Sequence, residues 1–598
     1  MMQRRFLLAL LSLIVLSPFN ADAAEILVSP GEDLQMTVRR AREMRRLHQV
    51  KSDDTLFVTL ADGIYPLTEP LFIRPEDSGT PVGPTVFRAA TPGKAIIEGG
   101  MVLSDWRRPT REELQGIPER YHDRIWVCQA PAVNGRRVEV HQLFSGSRRL
   151  PEAGLVSADQ MLPLSAFRPE TREIWVDADL LPAAYLNHYA GSSMRVHQRW
   201  AIAYLRISDV RIEDGIAKFR FSNPESRREF EHPWPQPVIN EDLGNGEIVS
   251  SSFNLLGSPV FLDQQGEWMQ RSSDGLVFYL TPTRDCGVPE EPVYMPVTNQ
   301  LVWVDGSLER PVHDIVFEGL TFRHSRWNQP NEEGWVTLQA GFPIIDAYKL
   351  QEPGLPEKAS LENQAWIGRP LSAVSLKGVQ RVHFQSCSFE QIGATALDYT
   401  EASSDCYVRD NRFSDIGGTA ILVGHFPAGG FETHVPFRPQ VQADLCHDFL
   451  IQSNVVQNVG TDDWGACAIN AGYVYNTTIR DNTVDGCPWS GICLGWGWTR
   501  LQSGMQNNHL LYNTVMHFGM QLHDCGALYT LSNQPGSSII GNCLGQMGKA
   551  PYATNHRAFY IYLDEATDGF TIRDNQMPAP LIGTNQPGKH LVSDIPLP

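Results

Sequence analysis

Clustered positive charge is missing from this chain. Its 49 Lys and Arg stand against 68 Asp and Glu, a formal net charge of −19 at pH 7, and no basic block interrupts that balance. Nucleic acid and acidic polymers need grouped Lys and Arg to neutralise phosphate or carboxylate, so neither is an expected partner. Cysteine is sparse too: ten in 598 residues are too dilute for a disulfide scaffold. No CxxC and no Cys/His cluster with zinc spacing occurs, so neither a metal site nor a cofactor is expected. Eight of the ten lie between Cys387 and Cys543 in apolar, strand-like runs. Stacked, buried thiols suit that placement, and an exported chain leaves room for one or two disulfides.

Long hydrophobic runs are absent beyond the N-terminus. The charged head Met1-Met2-Gln3-Arg4-Arg5, the apolar run 6–16 and the small-residue site Ala21-Asp22-Ala23 have the layout of a secretory signal peptide over residues 1–23. A membrane span needs about twenty apolar residues, roughly twice this run. No membrane span is therefore expected, and the mature chain is expected in the periplasm or outside the cell. What remains exceeds a usual single core, leaving several domains or one elongated repeat.

A repeat is present. Short β-rich runs end in Asn at Asn411, Asn454, Asn482, Asn513, Asn542 and Asn575, with spacings of 43, 28, 31, 29 and 33 residues. A Gly follows six residues later at Gly417, Gly460, Gly519 and Gly548, and Cys387 with Gly393 fits the same frame. Asn and Gly suit left-handed bends at coil corners, and buried Asn amides can stack into hydrogen-bonded ladders. A second apolar run follows each Gly, as in 419–423 and 491–494. Two or three short strands per irregular turn describe a β-helix; an antiparallel sandwich would place hairpin turns at shorter intervals.

The expected fold is therefore all-β, a right-handed parallel β-helix. Residues 24–105 read as an N-terminal cap, with a helix near 34–47, and the first coils. The Asn frame vanishes over 106–310, a stretch rich in Trp, Pro and short alternating strands such as Glu173-Ile174-Trp175-Val176. That region reads as an inserted antiparallel β domain, and 311–598 as the main β-helix with its C-terminal tail.

Equivalent positions on neighbouring coils stack about one strand spacing apart, so acids at matched offsets share a groove. His523-Asp524-Cys525-Gly526-Ala527 lines up with Asp462-Asp463-Trp464-Gly465-Ala466, which would set Asp463 and Asp524 two coils and about 10 Å apart. The next coil supplies Tyr562-Leu563-Asp564-Glu565. Glycoside hydrolysis needs one carboxylic acid to protonate the leaving oxygen and one carboxylate as nucleophile or base; a separation of about 5 Å favours retention and about 6.5 to 9.5 Å inversion. Asp524 precedes its strand whereas Asp564 follows one, so their meeting depends on how the loop from Gly548 to Arg557 folds. Loop aspartates also cap turns. Here they coincide with Trp489, Trp496, Trp498, Tyr529 and Tyr562, aromatic faces on which sugar rings stack. His523 and Glu565 flank the acids as candidate contacts to sugar hydroxyls.

Asp62-Gly63-Ile64-Tyr65-Pro66-Leu67, Pro75-Glu76-Asp77-Ser78-Gly79-Thr80, Gln142-Leu143-Phe144 and Gly319-Leu320-Thr321-Phe322-Arg323-His324-Ser325-Arg326-Trp327, with the segments at Asp524 and Asp564, resemble glycoside hydrolase family 141. The likeness runs in order from about residue 30 to 575. It implies a β-helix carrying antiparallel β domains, a polysaccharide or oligosaccharide partner from plant cell walls, and α-L-fucosidase or xylanase activity. The family's two proposed catalytic aspartates fall on Asp524 and Asp564. Asp463, Trp496, Trp498, His523 and Glu565 are then the expected substrate-binding residues. Cys525 departs from the small residue expected after the first Asp.

Two other functions fit the same fold. A polysaccharide lyase needs a Lys or Arg base beside a neutralised uronate; after residue 377 the only lysines are Lys549 and Lys589, although Arg480, Arg500 and Arg557 remain. The Gly-His-Gly and Arg-Ile-Lys partners of polygalacturonases are absent despite Asp462-Asp463. A non-catalytic glycan-binding β-helix would show aromatics without positioned acids.

Overall fold

A computed structural model describes residues 24–598 except 158–159, 233–234, 243–245, 283–286, 288, 290, 347–365, 427–436 and 551–556. The signal-peptide reading of residues 1–23 lies outside the described residues. Three parallel sheets of 12, 9 and 10 strands, counted among the described residues, run the length of the molecule. Each coil contributes one strand to each sheet in turn, as Leu450–Gln452, Val455–Val459 and Ile469–Ala471 do, and each strand pairs in parallel with its counterpart on the next coil. This is the expected right-handed parallel β-helix. The helix Leu34–Arg46 caps its N-terminal end.

The coils stack because alternate residues point inward and meet their own kind. Val408, Ile451, Ile479, Leu510, Ile539 and Ile572 lie in register and are buried. Phe87, Phe317 and Phe384 stack at 5.4 and 4.6 Å between ring centroids, and Phe322, Phe389 and Phe413 at 4.9 and 4.6 Å. Such columns bury apolar area without a break along the axis. The nine described cysteines are free thiols, eight of them buried.

Between the first and second sheets the Asn residues form the expected ladder. Oδ1 of Asn482 accepts both the backbone N–H of Asn454 at 3.0 Å and its Nδ2 at 2.9 Å, while Nδ2 of Asn454 also donates to the carbonyl of Val408 at 2.9 Å. The same side-chain bond links Asn411 to Asn454, Asn482 to Asn513, Asn513 to Asn542 and Asn542 to Asn575. The bend itself is made one residue earlier than expected: Asp410, Ser453, Asp481, Tyr512 and Asp574 have φ of 54–58°, a region that Asp and Asn tolerate best among non-glycine residues. Asn is retained for its amide. Gly417 is required by close approach, since a Cβ there would lie 2.4 Å from the Gly393 carbonyl oxygen.

The insertion is antiparallel, as expected, but its limits differ. Ala95–Glu98 belongs to the second sheet, and Val302–Asp305 is already in the third, paired with Leu71–Ile73 and Ser372–Lys377. The inserted β domain thus occupies residues 99–301 rather than 106–310. Val302 and Val304 are buried in the stack; no Asn marks that coil, which is why its return is hard to see in sequence. The insertion holds an antiparallel sheet built around the hairpin Ser193–Gln198 and Ala201–Glu213. A second excursion joins it, Trp335–Val336 pairing with Ala201–Glu213. No helix among the described residues is long and apolar enough to cross a membrane.

Candidate active site

The insertion docks over the third sheet where the coils carry their acids. Arg199 accepts a backbone hydrogen bond from His523 at 3.3 Å, Tyr204 donates to the carbonyl of Asp462 at 2.8 Å, and Gln339 of the second excursion donates to the Tyr529 hydroxyl at 2.8 Å. Two adjacent strands, Cys525–Thr530 and Ala558–Leu563, lie beneath, with Asp524 entering the first and Asp564 leaving the second. Tyr529 and Tyr562 are paired directly across these strands, their rings perpendicular at 5.2 Å.

Their hydroxyls cross between coils. Tyr562 donates to Oδ1 of Asp524 at 2.9 Å, and Tyr529 donates to Oδ2 of Asp564. Each acid is thus held by the tyrosine of the other's coil. This answers the question left by their positions at opposite strand ends: with Asp524 in left-handed backbone (φ 55°), its carboxyl meets the tyrosine that also packs on Tyr529. The indole of Trp489 donates to the Asp524 carbonyl at 3.1 Å and packs against Tyr529 at 5.2 Å.

The two acids differ in electrostatic environment. Asp564 is 7% exposed and accepts hydrogen bonds from Tyr529, from Asn585 at 2.8 Å and from the Glu565 backbone. Donors aimed at a carboxylate favour its charged form, opposing the burial that raises its pKa. The Asp524 carboxyl keeps 19% exposure and has the Tyr562 hydroxyl, with Arg557 farther off at 3.9 Å. Burial first, and then the charge of Asp564, push Asp524 up to about 7. Two carboxyls thus sit in one electrostatic unit, one furnished with donors and one inclined to keep its proton. Burial raises both carboxyls, and what separates them is the number of donors each accepts from.

A family model described as the GH141 insertion domain matches residues 123–282. A solved structure described as a glycoside hydrolase matches with a TM-score of 0.87 and 33% identity, covering 96% of this chain and 96% of that one. The chain belongs to glycoside hydrolase family 141. More distant matches include a structure described as XylC in complex with xylose, at 11% identity and TM-score 0.40 over 88% of this chain and 71% of that one, and a mannuronan C-5 epimerase module from Azotobacter vinelandii, at 10% and 0.25 over 50% and 77%. At that likeness they bear on neither fold nor activity. No curated protein matches.

Other residues of this family 141 glycoside hydrolase depart from expectation. Asp463 and Asp524 are not equivalent: the pairs Ile469↔Ile492 and Ile492↔Leu528 set a displacement of 59 residues, and the motif alignment needs 61. Asp463 turns instead to the Trp335 indole N–H at 3.3 Å and the Gly465 N–H at 3.0 Å, a structural position at the seam with the second excursion. Trp496 is 1% exposed and enclosed by Phe342, Phe426 and Trp498 at 5.0–5.1 Å, so neither face is open to a sugar. Trp498, 9% exposed, packs with it as core. His523 is buried beside His197, ring centroids 6.4 Å apart, and Glu565 is half-buried next to Asp564. Tyr529 and Tyr562, expected as stacking faces, serve as hydroxyl donors. Gln339 and Asn585 escaped the sequence reading; nothing in their local sequence marks them. The tyrosines' identical offset of 33 residues, equal to the last Asn spacing, was a usable signal.

Proposed function

We propose that this family 141 enzyme hydrolyses plant cell-wall type glycans, as an α-L-fucosidase or xylanase, with Asp524 as general acid and Asp564 as nucleophile or base. The unequal donor sets on the two acids are the observation that carries this reading. Asp564, with hydrogen bonds from Tyr529, Asn585 and the Glu565 backbone, holds the negative charge that faces the anomeric carbon or activates a water. Burial, and then that charge, keep a proton on Asp524, which delivers it to the leaving oxygen. Tyr562 and Tyr529 position the pair, and Gln339 fixes the Tyr529 hydroxyl by donating to it. The glycan class rests on the family resemblance. Export to the periplasm or beyond, with residues 1–23 removed, is part of the same proposal and rests on the N-terminal pattern.

The test is incubation of the mature protein with xylans, pectins and fucosylated glycans, following reducing ends together with the ultraviolet absorbance of unsaturated products. New reducing ends without that absorbance, lost in Asp524→Asn and Asp564→Asn, are expected. Unsaturated products would replace hydrolysis by elimination; full activity in both variants would remove the pair from the chemistry.

A further inference from the structure

A cavity of about 630 Å³ opens beside the Tyr204–Asp462 contact between the insertion and the β-helix, and neither Asp524 nor Asp564, Tyr529 nor Tyr562 lines it. Its floor is the coil corner Thr461, Asp462 and Trp464, and its walls come from the insertion, with Arg149, Glu152, Arg195 and Trp268 prominent. The size lies in the range that encloses small ligands. Its chemistry narrows the class. Glu139, Glu152 and Asp462 face it, which disfavours phosphate and other anions; Arg149, Arg195 and Arg206 face it too, which disfavours metal ions and organic cations. An apolar occupant would strip water from these charged groups without replacing it. A neutral, hydroxyl-rich molecule satisfies both sets, because each hydroxyl donates to a carboxylate and accepts from a guanidinium.

The groups are already arranged. Asp462 is held by Arg149 and by Gln142 at 2.6 Å, and the Arg195 guanidinium lies 4.5 Å from the Trp464 ring centre. Glu152 is different: among the described residues its carboxyl has no hydrogen bond, and burial pushes it up to about 7. Glu152 is half-buried, so its carboxyl meets the cavity's solvent, and a ligand's hydroxyls can take the place of that water.

We infer that this cavity between the insertion and the β-helix is a second saccharide-binding site, taking a short neutral saccharide against Glu152, Arg195 and Trp464. The inference rests on the family and on the cavity, not on the catalytic pair. It can therefore be tested with the pair disabled.

Xylose, xylobiose and L-fucose are titrated by calorimetry into the full-length mature Asp524→Asn/Asp564→Asn protein, with tryptophan fluorescence read in parallel. Saturable binding of at least one probe is expected, weakened at least about tenfold by Glu152→Leu and also by Arg195→Met. Because no protein donor among the described residues holds the half-buried Glu152 carboxyl, Glu152→Leu is expected to fold with a Tm close to wild type, and Glu152→Gln to keep binding within a few fold. A crystal soaked with the tightest probe should show it beside Trp464. Absence of saturable binding by all three probes up to tens of millimolar, or binding indifferent to both Glu152→Leu and Arg195→Met, would overturn the inference. Neither result would bear on hydrolysis by the wild-type enzyme.

Discussion

The two turns that flank the second sheet follow opposite rules. On one side, the coils from Asn411 to Asn575 repeat the same device: a left-handed residue and then an Asn whose amide bonds its neighbours along the stack. On the other, the connection to the third sheet varies in length, from residues 393–394 to residues 460–468, and each coil places something different there: Asp462 and Asp463, then Ser490, then Asp524. The repeating side satisfies its own polar groups and needs nothing from outside. The irregular side leaves polar groups for the insertion, for neighbouring tyrosines or for a ligand. In this fold chemistry collects where repetition stops, on a platform that the repeating side holds rigid.

Substitutions on the two sides should separate activity from stability. The largest effect is expected from Asp524→Asn and Asp564→Asn, each lowering kcat by about 10² to 10⁴ with Tm nearly unchanged, read by steady-state kinetics beside thermal melts. A comparable fall in Tm would mean that the acids hold the fold instead. Asn482→Ala should do the reverse. It strips Oδ1 from two donors of Asn454 and a donor from the Ile451 carbonyl, costing about 2 to 4 kcal/mol in urea unfolding, with kcat per folded molecule retained.

A finer test alters the pair's neighbours rather than the pair. The Arg557 charge and the Tyr562 hydroxyl both lower the pKa of Asp524, working against burial and the charge of Asp564, which hold it near 7. Arg557→Gln and Tyr562→Phe each remove one lowering influence, so the Asp524 pKa rises and the alkaline limb of the pH–rate profile moves to higher pH. A shift to lower pH would exclude Asp524 as the acid.

The smallest expected effect lies in the insertion. Glu229, buried in the helix Glu225–Glu231 with Gln198 donating to it at 2.6 Å, is pushed by burial up to about 8. A carboxyl raised in the folded state favours folding below its unfolded value, and that contribution is lost as pH rises through its folded value. Glu229→Gln should therefore gain Tm over wild type at about pH 9 but little at about pH 5. Equal gains at both values would mean that the carboxyl's charge is not the cause.

The regular side was legible in the sequence because it repeats: the Asn spacings alone located the coils and foretold the ladder. The insertion showed itself as the stretch where that frame stops, although the coil strand at Val302–Asp305 passed unnoticed for want of an Asn. The irregular side was legible only in part. The coil reading brought out Asp524 and Asp564 as candidate acids and the family resemblance paired them, but matching local motifs across coils misjudged Asp463, because the second-to-third-sheet loops differ in length and shift the register by two residues. Trp496 and Trp498 looked like sugar platforms because outward positions on a coil read alike whether solvent or other side chains, here Phe342 and Phe426, cover them. The crossed tyrosine hydroxyls need the register of two specific strands, which local pattern does not supply.

The central claim is that the two acids have different jobs. The most direct measurement compares each variant on an ordinary glycoside and on the 2,4-dinitrophenyl glycoside of the same sugar, whose leaving group departs without a proton. Asp524→Asn should lose kcat/KM on the ordinary substrate and largely recover it on the activated one, while Asp564→Asn should remain slow on both. Recovery in Asp564→Asn and not in Asp524→Asn would reverse the assignment, and equal loss in both variants on both substrates would contradict a division of labour between the two aspartates.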